Sequence, residues 1–513
     1  MTWATRPRAV FKRAAPARQD AASPPALSPY EDVAARASQW WTDEGLYMGF
    51  GIAAPDDEMH PLRGAWVCDG SRGNYRGDRH ILTIGPNGSG KTRRLLFPNL
   101  HYLKGWSVVA IDPKGELFAH TAQERGAAGN RIMLIDPFAV VASTYPRLAE
   151  KFPDACASKT FNPVAALNLE SARFIDDAKS LAVALIQTEN TRDKYWPQAA
   201  QALVKGLLMA LRIRGGRDAS LVDLRNVLGL APAELATYVS RRVEQLGEAW
   251  PAIAASLGEF STHSSEDREL GGIRRTAKVQ TDWLDSPPIR PNLQGEAFDF
   301  ASIKETPTTV YLVLPPEFLA THGVWLRMMV ASILRPLLRS ASRPTVPVLF
   351  MLDEFAQLGR MEIVEDNYAL MRGYGVKLWT IWQDLNQAKN LYAERWESFI
   401  SNAGIVQSFA PQDMTTRKYL SELADERLTW HDVQSSSASG GMSLQSMTSG
   451  ASASKTHIKE PLVYPHEFGQ MKQGWGVVFT QRGEMHRRYF PDAAHEAFAG
   501  VRDMMAKASA AIG

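Results

Sequence analysis

Two short stretches, far apart in the chain, carry side chains whose types and spacing suit phosphate chemistry. The first is Gly85–Thr92, GPNGSGKT, in which Gly85, Gly90, Lys91 and Thr92 fall on the G-x-x-x-x-G-K-[ST] spacing of a phosphate-binding loop. Glycines there let backbone N–H groups close round phosphate oxygens. The helix that follows points the positive end of its dipole at them. Lys91 is expected to reach the β- and γ-phosphates of a nucleotide such as ATP, and the Thr92 hydroxyl to ligate Mg²⁺. Asn87, Gly88 and Ser89 complete the loop. It follows directly on Arg79-His80-Ile81-Leu82-Thr83-Ile84, which reads as an apolar strand.

Binding alone does not make hydrolysis; an acid at the end of another apolar strand is needed as well. Val348-Leu349-Phe350-Met351-Leu352 runs into Asp353-Glu354. Asp353 is expected in the Mg²⁺ shell and Glu354 as the group that orients or deprotonates the attacking water. A bland alternative is that the acid pair caps the next helix; both can hold. The following strand, Val376–Trp382, ends at Gln383, where an amide suits a γ-phosphate sensor. Arg372 ends the helix expected between these strands. A cation there complements the helix dipole, and in a ring it could serve as an arginine finger on a neighbouring subunit's nucleotide.

These residues need a scaffold, and the pattern describes one. Trp106–Asp112 and Ile132–Asp136 are further strand patterns that end in carboxylates. Strands alternating with helices predict a parallel sheet covered on both faces. Between Ser171 and about Asp285 the spacing turns helical: Phe174, Ala178, Leu181, Ala182 and Leu185 form one stripe, with Ser171 as candidate N-cap. Trp196, Ala200, Leu203, Leu207 and Leu211 form another. The strand pattern resumes at Thr309–Leu314, so the helical block reads as an insertion. The expected division is an N-terminal extension over 1–60, partly disordered, with a short helix at Tyr30–Trp41. The first part of a nucleotide-binding domain follows over 61–165, then an all-α domain over 166–300, then the second part over 301–513. Gly64–Arg79 is expected to form a hairpin leading into the loop strand. Ser/Gly-rich residues 435–456 are expected to be a flexible loop.

Composition narrows the class. With 513 residues, 45% hydrophobic and 22% charged, the chain suits a soluble protein of two to four domains. A net charge of +2 spreads no global basic field, so any nucleic-acid surface must be local or built by assembly. Two cysteines, Cys68 and Cys156, supply no disulfide framework and fit a reducing compartment. No apolar run approaches the roughly 18 residues of a membrane-spanning helix. Arg6, Arg8, Lys12, Arg13 and Arg18 make a basic tail without the apolar core of a secretory signal.

Taken together, GPNGSGKT at Gly85–Thr92, IDPKGE at Ile111–Glu116, FNP at Phe161–Pro163, VLFMLDEFAQLG at Val348–Gly359 and the late Gln383 resemble the coupling proteins of type IV secretion systems, the TraG-type conjugative ATPases. The resemblance implies a RecA-like domain interrupted by an all-α domain, and a homo-oligomeric ring, usually hexameric, at the cytoplasmic mouth of a secretion channel. Such a ring takes a relaxase-bound single DNA strand or protein substrates from accessory proteins and drives them onward with ATP. It places Lys91 and Thr92 in the loop roles, Asp353 and Glu354 in the metal and water roles, and Arg372 where a trans-acting arginine sits. Members typically carry an N-terminal pair of membrane spans that this sequence lacks. The expectation is therefore a cytoplasmic variant, peripheral at the inner membrane and recruited by an integral partner, or one whose anchor is encoded elsewhere. Rival readings are a nucleotide-switched recruitment adaptor, which need not keep Glu354, and a double-stranded-DNA pump of the chromosome-segregation type. The large helical insertion argues against the second.

Overall fold

The computed structural model describes residues 46–53, 67–75, 77–188, 194–261, 268–344, 346–437, 450–481, 485–493 and 499–512. Eleven described strands build one sheet: β1 (Leu46–Ala53), β2 (Val67–Tyr75), β3 (His80–Ile84), β4 (Val108–Ile111), β5 (Arg131–Ile135), β6 (Thr308–Leu312), β7 (Val348–Leu352), β8 (Val376–Trp382), β9 (Ala403–Ser408), β12 (Trp475–Thr480) and β13 (Met485–Tyr489). The remaining two, β10 (Glu426–Ser437) and β11 (Gly450–Pro461), pair with each other as a separate antiparallel hairpin.

The sheet order is β2-β1-β13-β12-β9-β3-β8-β7-β4-β6-β5. Every pairing from β9 to β5 is parallel, and the pairings on the β2 side are antiparallel. The architecture is therefore α/β with a mostly parallel sheet. Strands covered on both faces must be largely apolar, and β3, β4, β6, β7 and β8 are buried at every residue.

Alternation along these strands separates two cores. Leu82, Val109, Phe350, Leu352 and Leu378 join the cluster that takes in the helical block. Ile81, Val108, Leu349, Met351 and Trp379 face the other way, toward the helix after the phosphate loop and the carboxyl-terminal Met504 and Met505. The block itself consists of helices Phe174–Leu185, Tyr195–Gly215, Leu221–Gly229, Pro232–Leu246, Pro251–Ser261 and Arg268–Gln280. The expected apolar stripes are its interior: Phe174, Ala178, Leu181, Ala200, Leu203 and Leu207 are all buried. A capping box starts the third helix, with the Ser220 N–H donating to Asp223 Oδ2 at 2.8 Å.

Four local expectations are corrected. Ser171 is not the cap of the first helix, which starts at Phe174 with Arg173 in the cap position; the Ser171 hydroxyl instead accepts from the Arg173 N–H at 3.1 Å in the preceding turn. Gly64–Arg79 does not fold as a hairpin of its own: within it Val67–Tyr75 is a single strand, β2, which pairs with β1 at the far edge of the sheet, while β9 and β8 occupy both sides of β3. The Ser/Gly-rich stretch is strand at 435–437 and 450–456, where an antiparallel ladder satisfies the backbone; its centre, 438–449, lies outside the described residues. Arg372 does not end the α-helix between these strands, which stops at Asn367, but sits in the separate single turn Met371–Tyr374, which leaves its side chain exposed. Residues 1–45 and 54–66, with the basic tail and the Tyr30–Trp41 helix, also lie outside the described residues, while 46–53 of the expected extension are β1.

Candidate nucleotide site

All the parallel strands direct their carboxyl ends to one side of the sheet, and that is where the candidate side chains meet. The loop leaves β3 at Ile84, and the Gly85 N–H donates to the Trp382 carbonyl at 2.9 Å, pinning the loop entrance to the end of β8. Gly88 and Gly90 have φ of 78° and 84°, left-handed conformations that glycine adopts without strain. A π-helical turn, Thr92–Leu96, follows and continues into the helix Phe97–Tyr102. Lys91 is only 8% exposed. Its ammonium donates to the carbonyls of Gly85 (2.7 Å) and Pro86 (3.1 Å), folding back along its own loop. Burial pulls its pKa down, while Asp353 and Glu354 pull it up.

Because β8 lies between β3 and β7, Gln383 stands between the loop and the acid pair. Its amide Nε2 donates to Glu354 Oε2 at 2.7 Å, and its own backbone N–H donates to Gln387 Oε1 at 3.0 Å. Glu354 takes a left-handed backbone, φ 56° and ψ 43°, unusual outside glycine and asparagine. That turn swings its carboxylate toward Gln383 instead of along the following turn. Burial raises the Asp353 carboxyl to about 6, with nearby Lys91 opposing the rise. Asp353 Oδ1 and Ser89 Oγ are buried atoms with no hydrogen-bond partner among the described residues.

A cavity of about 840 Å³ is lined by Asn87, Gly88, Gly90, Lys91, Thr92, Asp353, Glu354 and Gln383. Gly85 and Ser89 belong to the same loop behind its lining. Arg372 is not part of this cavity. It precedes β8, whereas the cavity lies at the other end of that strand, and its charge acts on Tyr75 at the end of β2 and His80 at the start of β3.

The structure adds residues that the motifs did not single out for roles. Lys114, in the turn after β4, lines the cavity as an exposed cation and lowers the Asp353 pKa. Asp112 is buried, raised to about 7 by that burial, and accepts from the Phe118 N–H at 2.8 Å, holding the start of the helix Glu116–Ala127 against the site. Both lie in IDPKGE, and a carboxylate closing an apolar strand was the available signal. Asp492, which lines the cavity and binds Arg93 through both its oxygens, had none.

Among the described residues no cluster of three or more His, Cys, Asp or Glu side chains could hold a metal on its own. The hard oxygens of Thr92 and the orphaned Asp353 Oδ1 nonetheless fit Mg²⁺, which takes one or two protein oxygens and completes its shell with water and substrate phosphates. No described helix is long and apolar enough to cross a membrane.

Comparison with known proteins places the chain. It is similar to the conjugal transfer protein TraG of Escherichia coli, 26% identical over 449 residues, which cover 83% of this chain and 65% of that protein. A second Escherichia coli TraG is 28% identical over 473 residues, covering 86% and 68%. The type IV secretion system-coupling protein VirD4 of Bartonella quintana (strain Toulouse) is 24% identical over 409 residues, covering 79% and 61%. The chain thus spans 61–68% of the length of these relatives. In fold it is similar to the bacterial conjugative coupling protein TrwBdeltaN70 in its unbound form, with a TM-score of 0.59 at 15% identity over 81% of this chain and 85% of that one. The plasmid coupling protein TrwB in complex with ADP and Mg²⁺ superposes with a TM-score of 0.55 at 14% identity over 81% and 85%. The RecA-like core with an all-α insertion is the shared fold. The sequence model of type IV secretory system conjugative DNA transfer proteins matches residues 37–487, more than half of the chain, and the protein belongs to that family.

Proposed function

We propose that the chain is an ATP-hydrolysing subunit of a conjugative coupling machine, which recruits a relaxase-bound DNA strand or a protein substrate and helps to move it into a secretion channel. The observation that carries the reading is the meeting of Lys91, Thr92, Asp353, Glu354 and Gln383 around one cavity, although the loop and the acid pair lie far apart in sequence. The solved neighbour TrwB in complex with ADP and Mg²⁺, and with a non-hydrolysable ATP analogue, supports the same ligands here.

Each side chain has a task. Lys91 turns from the loop carbonyls to the β- and γ-phosphates, exchanging neutral acceptors for charged ones. Thr92 and Asp353 would hold Mg²⁺, which when bound would supply positive charge to the phosphate oxygens. Glu354 takes the proton of the attacking water, and Gln383 fixes the direction of its carboxylate. Loss of the γ-phosphate frees Gln383 to report the change along β8. Arg372, exposed and outside its own subunit's cavity, is free to act on a neighbouring subunit's nucleotide in a ring of six.

The decisive experiment measures phosphate release by the purified chain, with and without single-stranded DNA, beside Glu354→Gln. Native mass measurement with an ATP analogue and the same DNA reports the ring. Turnover that rises with DNA and disappears in Glu354→Gln supports a motor. A wild type that binds ATP without any turnover makes it a recruitment adaptor instead.

A further inference from the structure

A second cleft, of about 470 Å³, opens away from the nucleotide cavity. Its walls are the helix Phe174–Leu185, the second half of the helix Leu319–Arg339, and residues 360–367. It lies just beyond the turn that follows Glu354. There Arg327 donates to the carbonyls of Leu358 (3.1 Å) and Ala184 (3.2 Å), tying that turn to the helical block. Gly359, at φ 69°, passes so close that a Cβ would stand 2.9 Å from Gln187 Nε2.

Apolar walls come from Val183, Ala331, Leu338 and Ile363. Among the lining charges, Lys179, Arg327, Arg335, Arg339 and Arg360 outnumber Asp176, Glu362 and Asp366. Arg339 is ion-paired with Asp177, and Arg360 with Glu365 at 2.7 Å. Arg335 differs: among the described residues it makes no hydrogen bond and no ion pair, and of the charges that act on it Arg339, of like sign, comes first and Asp177, which Arg339 already binds, second. Burial pulls it down to about 10, so it stays charged at neutral pH. A half-buried guanidinium with no carboxylate in contact is held at a loss that a bound carboxylate recovers, and its flat fork of donors matches both carboxylate oxygens at once. Arg335 also borders a neighbouring cleft lined by Phe161, Leu167 and Leu181, so apolar surface flanks the cation on a second side. A volume of about 470 Å³ falls within the range of roughly 300–1,000 Å³ typical of ligand sites.

We propose that this cleft binds a short acidic segment of a protein partner, its carboxylate on Arg335 and its apolar neighbours against Val183, Leu338 and Ile363. A nucleic-acid strand fits it less well: three acids line the same walls, and a polyanion gains nothing from the apolar surface.

The test pans a random-peptide library displayed on phage against the full chain, counter-selecting on Arg335→Ala. The expected winners carry Asp or Glu beside apolar residues. Resynthesised as labelled peptides, they bind the wild type about tenfold or more tightly than they bind Arg335→Ala, the loss of one charge-assisted pair. Exchanging the peptide's Glu for Gln against wild-type protein gives the same loss without any protein variant, so misfolding cannot imitate it. Winners no more acidic than the starting library, binding equal on Arg335→Ala, or displacement of the peptide by oligothymidylate would overturn the proposal.

Discussion

Gln383→Glu is the substitution that most sharply tests the arrangement of the nucleotide site. In the wild type the Gln383 amide donates to Glu354 Oε2 at 2.7 Å. A glutamate in its place sets two carboxylates at that separation. With an effective dielectric of about 20, Coulomb's law gives about 332/(20 × 2.7), or about 6 kcal/mol of repulsion. Both groups are partly solvated, and relaxation and screening leave a fraction of this, on the order of 2–3 kcal/mol. The pair therefore keeps one proton up to a pH about two units higher than a lone carboxylate does, and while that proton is held Glu354 cannot serve as a free base. ATP turnover is expected to fall several-fold as the pH is lowered toward 6 and to recover as the pH is raised and the shared proton leaves. Gln383→Ala removes the hydrogen bond without adding charge, so it should lower turnover with no such recovery. The assay is steady-state phosphate release from about pH 6 to 9, with affinity for a fluorescent ADP analogue as the check that the pocket is intact. A Gln383→Glu profile superposable on that of the wild type would refute the contact and the role assigned to Glu354.

Three further outcomes follow from other parts of the structure. Lys114→Ala should weaken a non-hydrolysable ATP analogue by about tenfold and leave ADP binding unchanged, because the lysine faces Asp353 across the cavity; equal losses for both nucleotides would remove it from the γ-phosphate. Arg372→Ala should leave nucleotide affinity of the dilute chain intact and reduce turnover of the assembled ring by on the order of 10³, since the side chain lies outside its own subunit's cavity; an equal loss in the dilute chain would contradict a role in trans. Lys377, 1% exposed beneath Tyr75 and Trp106, is pulled by burial to about 8 from 10.5. The unfolded chain keeps that proton up to the higher value, so folding stability should rise as pH climbs from about 8 to about 10.5, by at most about 3 kcal/mol. Denaturant melts across that range should show the rise, and Lys377→Met should flatten it.

How much was legible depends on whether the signal was local. The phosphate loop could be read because its glycines, lysine and threonine act as neighbours. The acid pair could be read because a fully buried strand is an unbroken apolar run and Asp353-Glu354 closes one. The helical stripes at Phe174–Leu185 and Tyr195–Gly215 were visible because burial on one helical face imposes a period of about 3.6 residues. Ser171 misled because a hydroxyl before a helical pattern serves a turn as readily as a cap, and only backbone geometry chooses between them. Gly64–Arg79 misled in the same way, since strand character does not say whether a segment pairs within itself or with another strand.

By itself, then, the sequence determined the phosphate loop, the central strands beside it, the helical block and which side chains have the chemistry for phosphate, metal and water, because those properties follow from composition and spacing within a few residues. Only the tertiary structure decided that β8 would lie between the loop strand and the acid strand, bringing Gln383 to Glu354, that Asp492 would cross the chain to Arg93, and that Arg372 would stand at the far end of the sheet. Strand order is set by how whole apolar faces pack together, and no short window of residues carries that information.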